Sequence, residues 1–267
     1  MNYLKYVPKN MMSRLVGRAT QMKRPARLTR WARNAFAAYY EINLAEAEFS
    51  IEDYRNIGEL FTRRLKPEVR PIGEGVVHPC DGNLTTIETI ESDLLLQAKG
   101  IHYSLDVLVN EPGVSKDLLG GMALTYYLCP TDYHRVHAPV SADVTKVVHI
   151  PGTLWPVSGK SIVTVPRLFA INERLVMSLV TPLGRIFLVM VGATNVGRMS
   201  VSFDRAITTN SVDRQTVQQF AYDPPVYVVK GDELGIFHMG STVIVLYPPK
   251  FLNVLPHKGP VMMGQSI

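Results

Sequence analysis

The chain of 267 residues has only two cysteines, Cys80 and Cys129, too few for a disulfide framework, and both are expected to stay reduced. No apolar run reaches the roughly 18 residues of a membrane-spanning helix. The N-terminus lacks an apolar stretch of signal-peptide length, so the expected place is the cytoplasm or the cytoplasmic face of a membrane. No Gly-x-Gly-x-x-Gly follows a strand-like run. Ser158-Gly159-Lys160-Ser161 is not a phosphate-binding loop, because Leu154 stands where that motif needs glycine. Asn83-Leu84-Thr85 fits a glycosylation acceptor, but nothing implies secretion. There is no internal repeat and no low-complexity segment. Finger, RNP-type and GXXG patterns are missing, which argues against nucleic acid as a partner. The most telling absence is of acidic residues in the first 40 positions.

Those 40 positions hold Lys5, Lys9, Arg14, Arg18, Lys23, Arg24, Arg27, Arg30 and Arg33. Setting these nine aside leaves 19 basic against 23 acidic residues, so the body is slightly acidic and the net charge of +5 belongs to an N-terminal arm. Such an arm suits an anionic surface. At about 100° per residue, Leu28, Trp31, Ala32, Ala35, Phe36 and Tyr39 share one helix face, with Arg27, Arg30 and Arg33 on the other. Met11, Met12, Leu15 and Val16 make a second apolar stripe after Pro8. Basic helices with such faces suit the membrane interface, although the same faces could instead dock on the protein's own body.

Ser50-Ile51-Glu52-Asp53 reads as a helix start with Ser50 as N-cap, followed at helical spacing by Tyr54, Ile57, Leu60, Phe61 and Leu65. Pro67 and Pro71 close the helical region. Beyond residue 75 short β-type runs follow: Ala123–Cys129, Val144–Ile150, Leu175–Val180, Ile186–Val191 and Thr242–Tyr247. Thr181-Pro182-Leu183-Gly184 reads as a hairpin turn. The expected fold is α+β, with a basic amphipathic helical region over 1–66 and a compact, mainly antiparallel β-rich catalytic domain over 67–267.

Gly240-Ser241-Thr242 opens the last of those runs, 27 residues from the C-terminus. A serine hydroxyl beside the carbonyl of a preceding glycine, in a tight turn, is where a chain can cut itself. Serine needs a base, and histidine is suited to that near neutrality, with an aspartate to fix its tautomer. His134 and His137 lie three apart in Asp132-Tyr133-His134-Arg135-Val136-His137. Asp81 lies in the turn His78-Pro79-Cys80-Asp81-Gly82. The same histidines could belong to a zinc site with Asp81 or His102, but the spacing matches no closed-site pattern. The competing readings are a zinc hydrolase and an uncut peripheral membrane scaffold.

His-Pro-Cys-Asp-Gly at 78–82, Leu-Gln-Ala-Lys-Gly at 96–100, Asp-Tyr-His-Arg-Val-His-Ala-Pro at 132–139, Val-Gly-Ala-Thr-Asn-Val-Gly at 191–197 and Lys-Gly-Asp-Glu-Leu-Gly-Ile-Phe-His-Met-Gly-Ser-Thr-Val-Ile at 230–244 together resemble phosphatidylserine decarboxylase, in its bacterial and mitochondrial-type branch. The motifs stand in the family's order. Met239, where Leu, Val or Phe is more usual, and His238, where lysine or another polar residue is commoner, depart from the pattern.

The resemblance implies cleavage between Gly240 and Ser241, giving a β chain 1–240 and an α chain 241–267 whose first residue becomes a covalent pyruvoyl group. It makes His137 the base, Asp81 its orienting partner and His134 the residue of decarboxylation. It implies a Schiff base between the pyruvoyl group and phosphatidylserine, loss of carbon dioxide, and release of phosphatidylethanolamine for phospholipid biosynthesis. It further implies a heterodimer of the chain's own β and α chains, a homodimer of these, no metal, and a peripheral place on the cytoplasmic side of the cell membrane.

Overall fold

The computed structural model describes residues 9–98, 100–157, 159–194, 198–210, 216–239 and 241–267, with Ser241 described by its backbone. Two helices lead, α1 (Lys9–Thr20) and α2 (Ala26–Tyr39). Both sit on the body by their small and polar residues. Ser13, Thr20, Thr29, Arg33 and Ala37 are buried, whereas Met11, Met12, Leu15, Leu28, Trp31 and Tyr39 are exposed. In α2 the outward stripe of Leu28, Trp31, Ala35 and Tyr39 lies roughly 140° around the axis from the docked residues, at about 100° per residue. Phe36 turns inward, its ring 6.3 Å from that of Phe61.

Arg33 corrects the expected pattern. It is 2% exposed, and its guanidinium donates to the Tyr54 carbonyl, which would otherwise be buried without a donor. No helix among the described residues is long and apolar enough to cross a membrane.

The single helix expected from Ser50 is two pieces. Asp53 accepts from both the Ser50 amide and hydroxyl, closing a 3₁₀ turn over Ile51–Asp53. Tyr54 then takes an extended backbone, and Asn56 caps a new short helix, α3 (Ile57–Phe61), accepting from the Glu59 amide at 2.9 Å. A local cap at each end of the Tyr54–Asn56 link outweighs continuous helical spacing.

The body follows as β1 (Gly82–Thr89), β2 (Leu94–Ala98), β3 (Ile101–Ser104), α4 (Leu105–Val109), α5 (Val114–Asp117), β4 (Met122–Leu128), β5 (Arg135–His137) and β6 (Ala142–Ile150). Then come α6 (Gly159–Ile162), α7 (Leu168–Ile171), β7 (Arg174–Thr181), β8 (Gly184–Val191), β9 (Met199–Val201), β10 (Gln218–Val228), β11 (Glu233–Phe237), β12 (Ser241–Tyr247) and β13 (Gly259–Val261). An eight-stranded antiparallel sheet runs β10-β6-β7-β8-β12-β4-β1-β13, and a three-stranded sheet runs β5-β11-β9. Thr181 and Gly184 pair across a two-residue turn, as expected.

The large sheet separates two cores. Along β12, Val243, Val245 and Tyr247 enter one, shared with Val136, Leu234 and Phe237 of the small sheet. Ile244 and Leu246 enter the other. A strand apolar on both faces needs cover on both, which is why β12 lies at the centre of the sheet.

Candidate active site

β12 begins at Ser241, directly opposite Leu128 at the end of β4. The chain leaving β4 turns through Cys129–Asp132 and delivers His134 and His137 within the next nine residues. β11 ends at Phe237, whose amide donates to the His134 carbonyl at 3.0 Å. The link from β11 to β12 therefore leaves beside the loop that holds His134. Gly240 lies outside the described residues.

His134 is fully buried. Its Nδ1 faces the Asp132 carbonyl at 2.8 Å, so Nδ1 carries the proton and donates, and the lone pair resides on Nε2. That Nε2 is buried with no hydrogen-bond partner among the described residues. The Phe61 ring lies 3.9 Å from the imidazole, centroid to centroid, and excludes water. Burial pushes the imidazole down to about 3, so it is neutral.

His137 is also buried. Its Nδ1 donates to the Gly231 carbonyl at 2.7 Å, and its Nε2 accepts from the Tyr133 hydroxyl at 3.1 Å. Gly231 has φ +90°, a conformation L side chains rarely adopt, and a Cβ there would lie 2.7 Å from Ile72, so glycine sets the carbonyl. Burial lowers the His137 pKa, opposed by the Gly231 carbonyl and by the charge of Glu233.

The structure does not pair Asp81 with His137 by a hydrogen bond. The carboxylate is held by Arg70, at 3.0 Å and 3.2 Å from Nε and 2.6 Å from Nη2, and by the Met263 amide at 2.8 Å. The geometric reason is the turn. Gly82, with φ +146°, brings β1 against β4 so closely that a Cβ would lie 2.6 Å from the Tyr127 carbonyl, and Asp81 then faces Arg70 and the C-terminal turn. Its charge still acts on His137 through space, raising its pKa. His102, the other residue considered for a zinc site, is exposed on β3.

The residues that position this site were not foreseen. Tyr133, Arg63 and Arg70 carry no spacing signal, although Tyr133 lies inside the motif that supplied the histidines. Asn172 is wholly buried and spends its amide on the Trp155 amide and carbonyl and on the Gly192 carbonyl, fixing the segment that leaves β8. His238 shares a 2.9 Å hydrogen bond with Ser200, and Met239 is half-buried against the second core.

The family model described as phosphatidylserine decarboxylase matches residues 57–267. A phosphatidylserine decarboxylase proenzyme of Anaeromyxobacter sp. (strain K) is 42% identical over 270 residues, covering 99% of this chain and 95% of the relative. One of Myxococcus xanthus (strain DK1622) is 41% identical, covering 100% and 96%. One of Brevibacillus brevis is 40% identical, covering 98% and 94%.

Proposed function

The chain belongs to the phosphatidylserine decarboxylase family, and on that premise we propose that it cuts its own Gly240–Ser241 bond and decarboxylates phosphatidylserine to phosphatidylethanolamine. The observation that carries this reading is the position of Ser241. It opens a central strand opposite the end of β4, and the residues following β4 supply two buried, differently partnered histidines.

In the first stage His137 Nε2 takes the proton of the Ser241 hydroxyl, and the oxygen attacks the Gly240 carbonyl. The Tyr133 hydroxyl that donates to Nε2 either turns aside or passes the proton through. Collapse breaks the amide, the nitrogen takes a proton, and an ester remains. Removal of the Ser241 α-proton expels the Gly240 carboxylate and leaves dehydroalanine, which tautomerises to an imine and loses ammonia to water. Asp81 stabilises the His137 imidazolium through its field while Arg70 and Met263 hold its carboxylate in place.

The 27-residue product cannot drift away. Its β12 is hydrogen-bonded between β4 and β8, its β13 pairs with β1, and its Met263 amide holds Asp81. The cut chain therefore remains one two-chain unit.

A pyruvoyl group at residue 241 supplies a ketone for the substrate amine and a sink for the electron pair left by carbon dioxide. His134 suits that neighbourhood, because its Nε2 can accept from the incoming ammonium. The substrate's own anionic groups oppose the burial that keeps the ring neutral, so the ring can take that proton and return it to carbon after carbon dioxide has left. The outward stripe of Leu28, Trp31 and Tyr39, flanked by Arg27 and Arg30, suits peripheral seating on an anionic bilayer at the cytoplasmic side of the cell membrane. An apolar groove of about 360 Å³ between α1 and α2 adjoins the same stripe.

Intact-mass analysis tests the cleavage directly. Wild-type protein should give a large chain and a 27-residue fragment without a free N-terminal amine, and Ser241→Ala should stay whole. A wild-type enzyme that decarboxylates while entirely uncut overturns the reading.

A further inference from the structure

Arg63, two residues beyond α3, is 4% exposed. Its Nη2 donates to the Thr131 carbonyl at 2.9 Å and more distantly to the Asp132 carbonyl at 3.4 Å. Its Nε and Nη1 are buried without a partner among the described residues. A cation with bare donors in a dry interior is among the costliest arrangements a chain can keep, and in native proteins it points to a function or a missing ligand. The nearby acids act on it through space and give it no hydrogen bond. Asp81 and Glu46 are ion-paired to Arg70, and Asp132 accepts from the Cys129 amide at 2.6 Å.

One further orphan lies beside it. His134 Nε2 has no partner among the described residues, and His134 Nδ1 converges with Arg63 Nη2 on the same Asp132 carbonyl. The Tyr54 hydroxyl, which faces the Phe49 backbone, lies within electrostatic range of Arg63. Three unpartnered polar atoms on two side chains thus gather where α3 meets the histidine loop.

We propose that Arg63 is a substrate-binding residue whose free donors receive an oxyanion of the phospholipid headgroup beside His134. This rests on the family activity proposed above. Phosphatidylserine offers two such oxyanions, the phosphodiester and the serine carboxylate. The carboxylate loses its charge as carbon dioxide departs, and a guanidinium fixed on it would hold the ground state more tightly than the transition state. The phosphodiester keeps its charge throughout and is the better match.

The test uses full-length, cleaved enzyme with Arg63→Gln and Arg63→Lys, assayed on dihexanoyl phosphatidylserine and normalised to the pyruvoyl-containing fraction. Arg63→Gln should raise KM about 10- to 100-fold with a smaller change in kcat, as expected for a lost charged hydrogen bond, and Arg63→Lys should fall between. Binding of dihexanoyl phosphatidylethanolamine, which keeps the phosphodiester and lacks the carboxylate, assigns Arg63 to the phosphodiester if it weakens. Binding of O-hexyl serine, which keeps only the carboxylate, assigns it to the carboxylate if that weakens. Unchanged KM and unchanged binding of both, in folded and cleaved variants, overturn the proposal. Should neither variant fold, the Arg63 Nε–H resonance of the wild-type protein decides. A shift on titration with either compound supports the site, and no shift with both overturns it. A wild-type chain that neither cleaves nor decarboxylates would instead sink the activity on which this rests.

Discussion

Helix α2 and strand β12 carry similar numbers of large apolar side chains and turn them in opposite directions. β12 buries Val243, Ile244, Val245, Leu246 and Tyr247, using one core on each face of the sheet. α2 buries Thr29, Arg33 and Ala37, and leaves Trp31 68% and Tyr39 80% exposed. The central strand thus gives all its large apolar side chains to the body's own packing. The arm is fastened by polar contacts and by Ala37 and Phe36, which join a small core with Tyr54 and Leu60, and it leaves its outward apolar stripe in solvent. Solvated apolar stripes on two neighbouring basic helices fit a bilayer interface better than water. Changes in the body should therefore affect self-cleavage, chemistry and stability, and changes on the outward stripe should affect membrane binding alone.

The largest effects are expected at the two histidines. On the proposed assignment His137→Ala removes the base for Ser241, and it should slow maturation by about 10²–10⁴-fold. His134→Ala should mature normally, then decarboxylate more slowly by a similar factor. Vesicle co-sedimentation should be unchanged in both. Time courses of cleavage by electrophoresis, beside carbon dioxide release by the cleaved fraction, separate the two steps. A His137→Ala chain that cuts at the wild-type rate, with a His134→Ala chain that stays whole, would mean that the roles are exchanged. Asp81→Asn carries a second consequence, because it loosens Arg70 and Met263 as well as the field at His137. It should slow maturation and also weaken retention of the 27-residue fragment in urea.

Acid should act on the body and spare the arm. His78 and His238 are held at about 4 and His134 at about 3 by burial, against an ordinary value of 6.5. Below pH 6.5 the unfolded chain takes up protons that the folded chain refuses. Stability is therefore intact above 6.5 and falls as pH drops toward 4, on the order of 1–2 kcal/mol per histidine by pH 5. Asp132 and Glu88, raised by burial, act in the opposite sense without being shifted as far. Urea midpoints at pH 7 and pH 5 measure the loss. Binding of the folded protein to phosphatidylglycerol vesicles should be equal at the two values, since the arm contains no histidine. A midpoint that does not move would mean that the three rings are accessible to protons.

What could be read from the residues alone divides along the same line. The central strands are legible because five apolar or β-branched runs lie between turn residues, and the Thr181–Gly184 hairpin because its turn chemistry is local. β10 is not legible. Pro224 and Pro225 interrupt its pattern, and they are tolerated because it is an edge strand whose pairing with β6 skips from Ala221 to Val226. The arm's two faces can be drawn from spacing, but spacing cannot say that Arg33 meets the Tyr54 carbonyl across 21 residues. The histidines and Ser241 stand out as motifs. Arg63, Arg70 and the Gly231 carbonyl enter the site through contacts between distant segments, which no local pattern encodes.

The smallest effects give the sharpest test of the difference between arm and body, because neighbouring residues of α2 should behave oppositely. Leu28→Ala and Trp31→Ala remove mostly exposed apolar surface that belongs to no buried core. Each should weaken binding to anionic vesicles about 10-fold, the equivalent of losing most of one buried apolar side chain, and leave the urea midpoint alone. Arg30→Ala removes an exposed charge from the flank of the stripe. It should cost up to about 1 kcal/mol of vesicle binding at low salt and almost none at high salt, again without a change in stability. Arg33→Ala should do the reverse, because its charge is turned inward onto the Tyr54 and Glu52 carbonyls, at the segment that precedes α3. Its loss should lower the urea midpoint by the equivalent of about 1–3 kcal/mol and leave the salt dependence of vesicle binding unchanged. Because α3 places Phe61 over His134, Arg33→Ala should also lower turnover modestly on a short-chain soluble substrate, where the outward variants remain at the wild-type rate. Co-sedimentation across a salt series, with denaturation and soluble-substrate turnover on the same four proteins, reads all of these together. If Arg30→Ala and Arg33→Ala lose the same vesicle binding and neither loses stability, the two arginines share one solvated face and the inward docking of α2 is wrong.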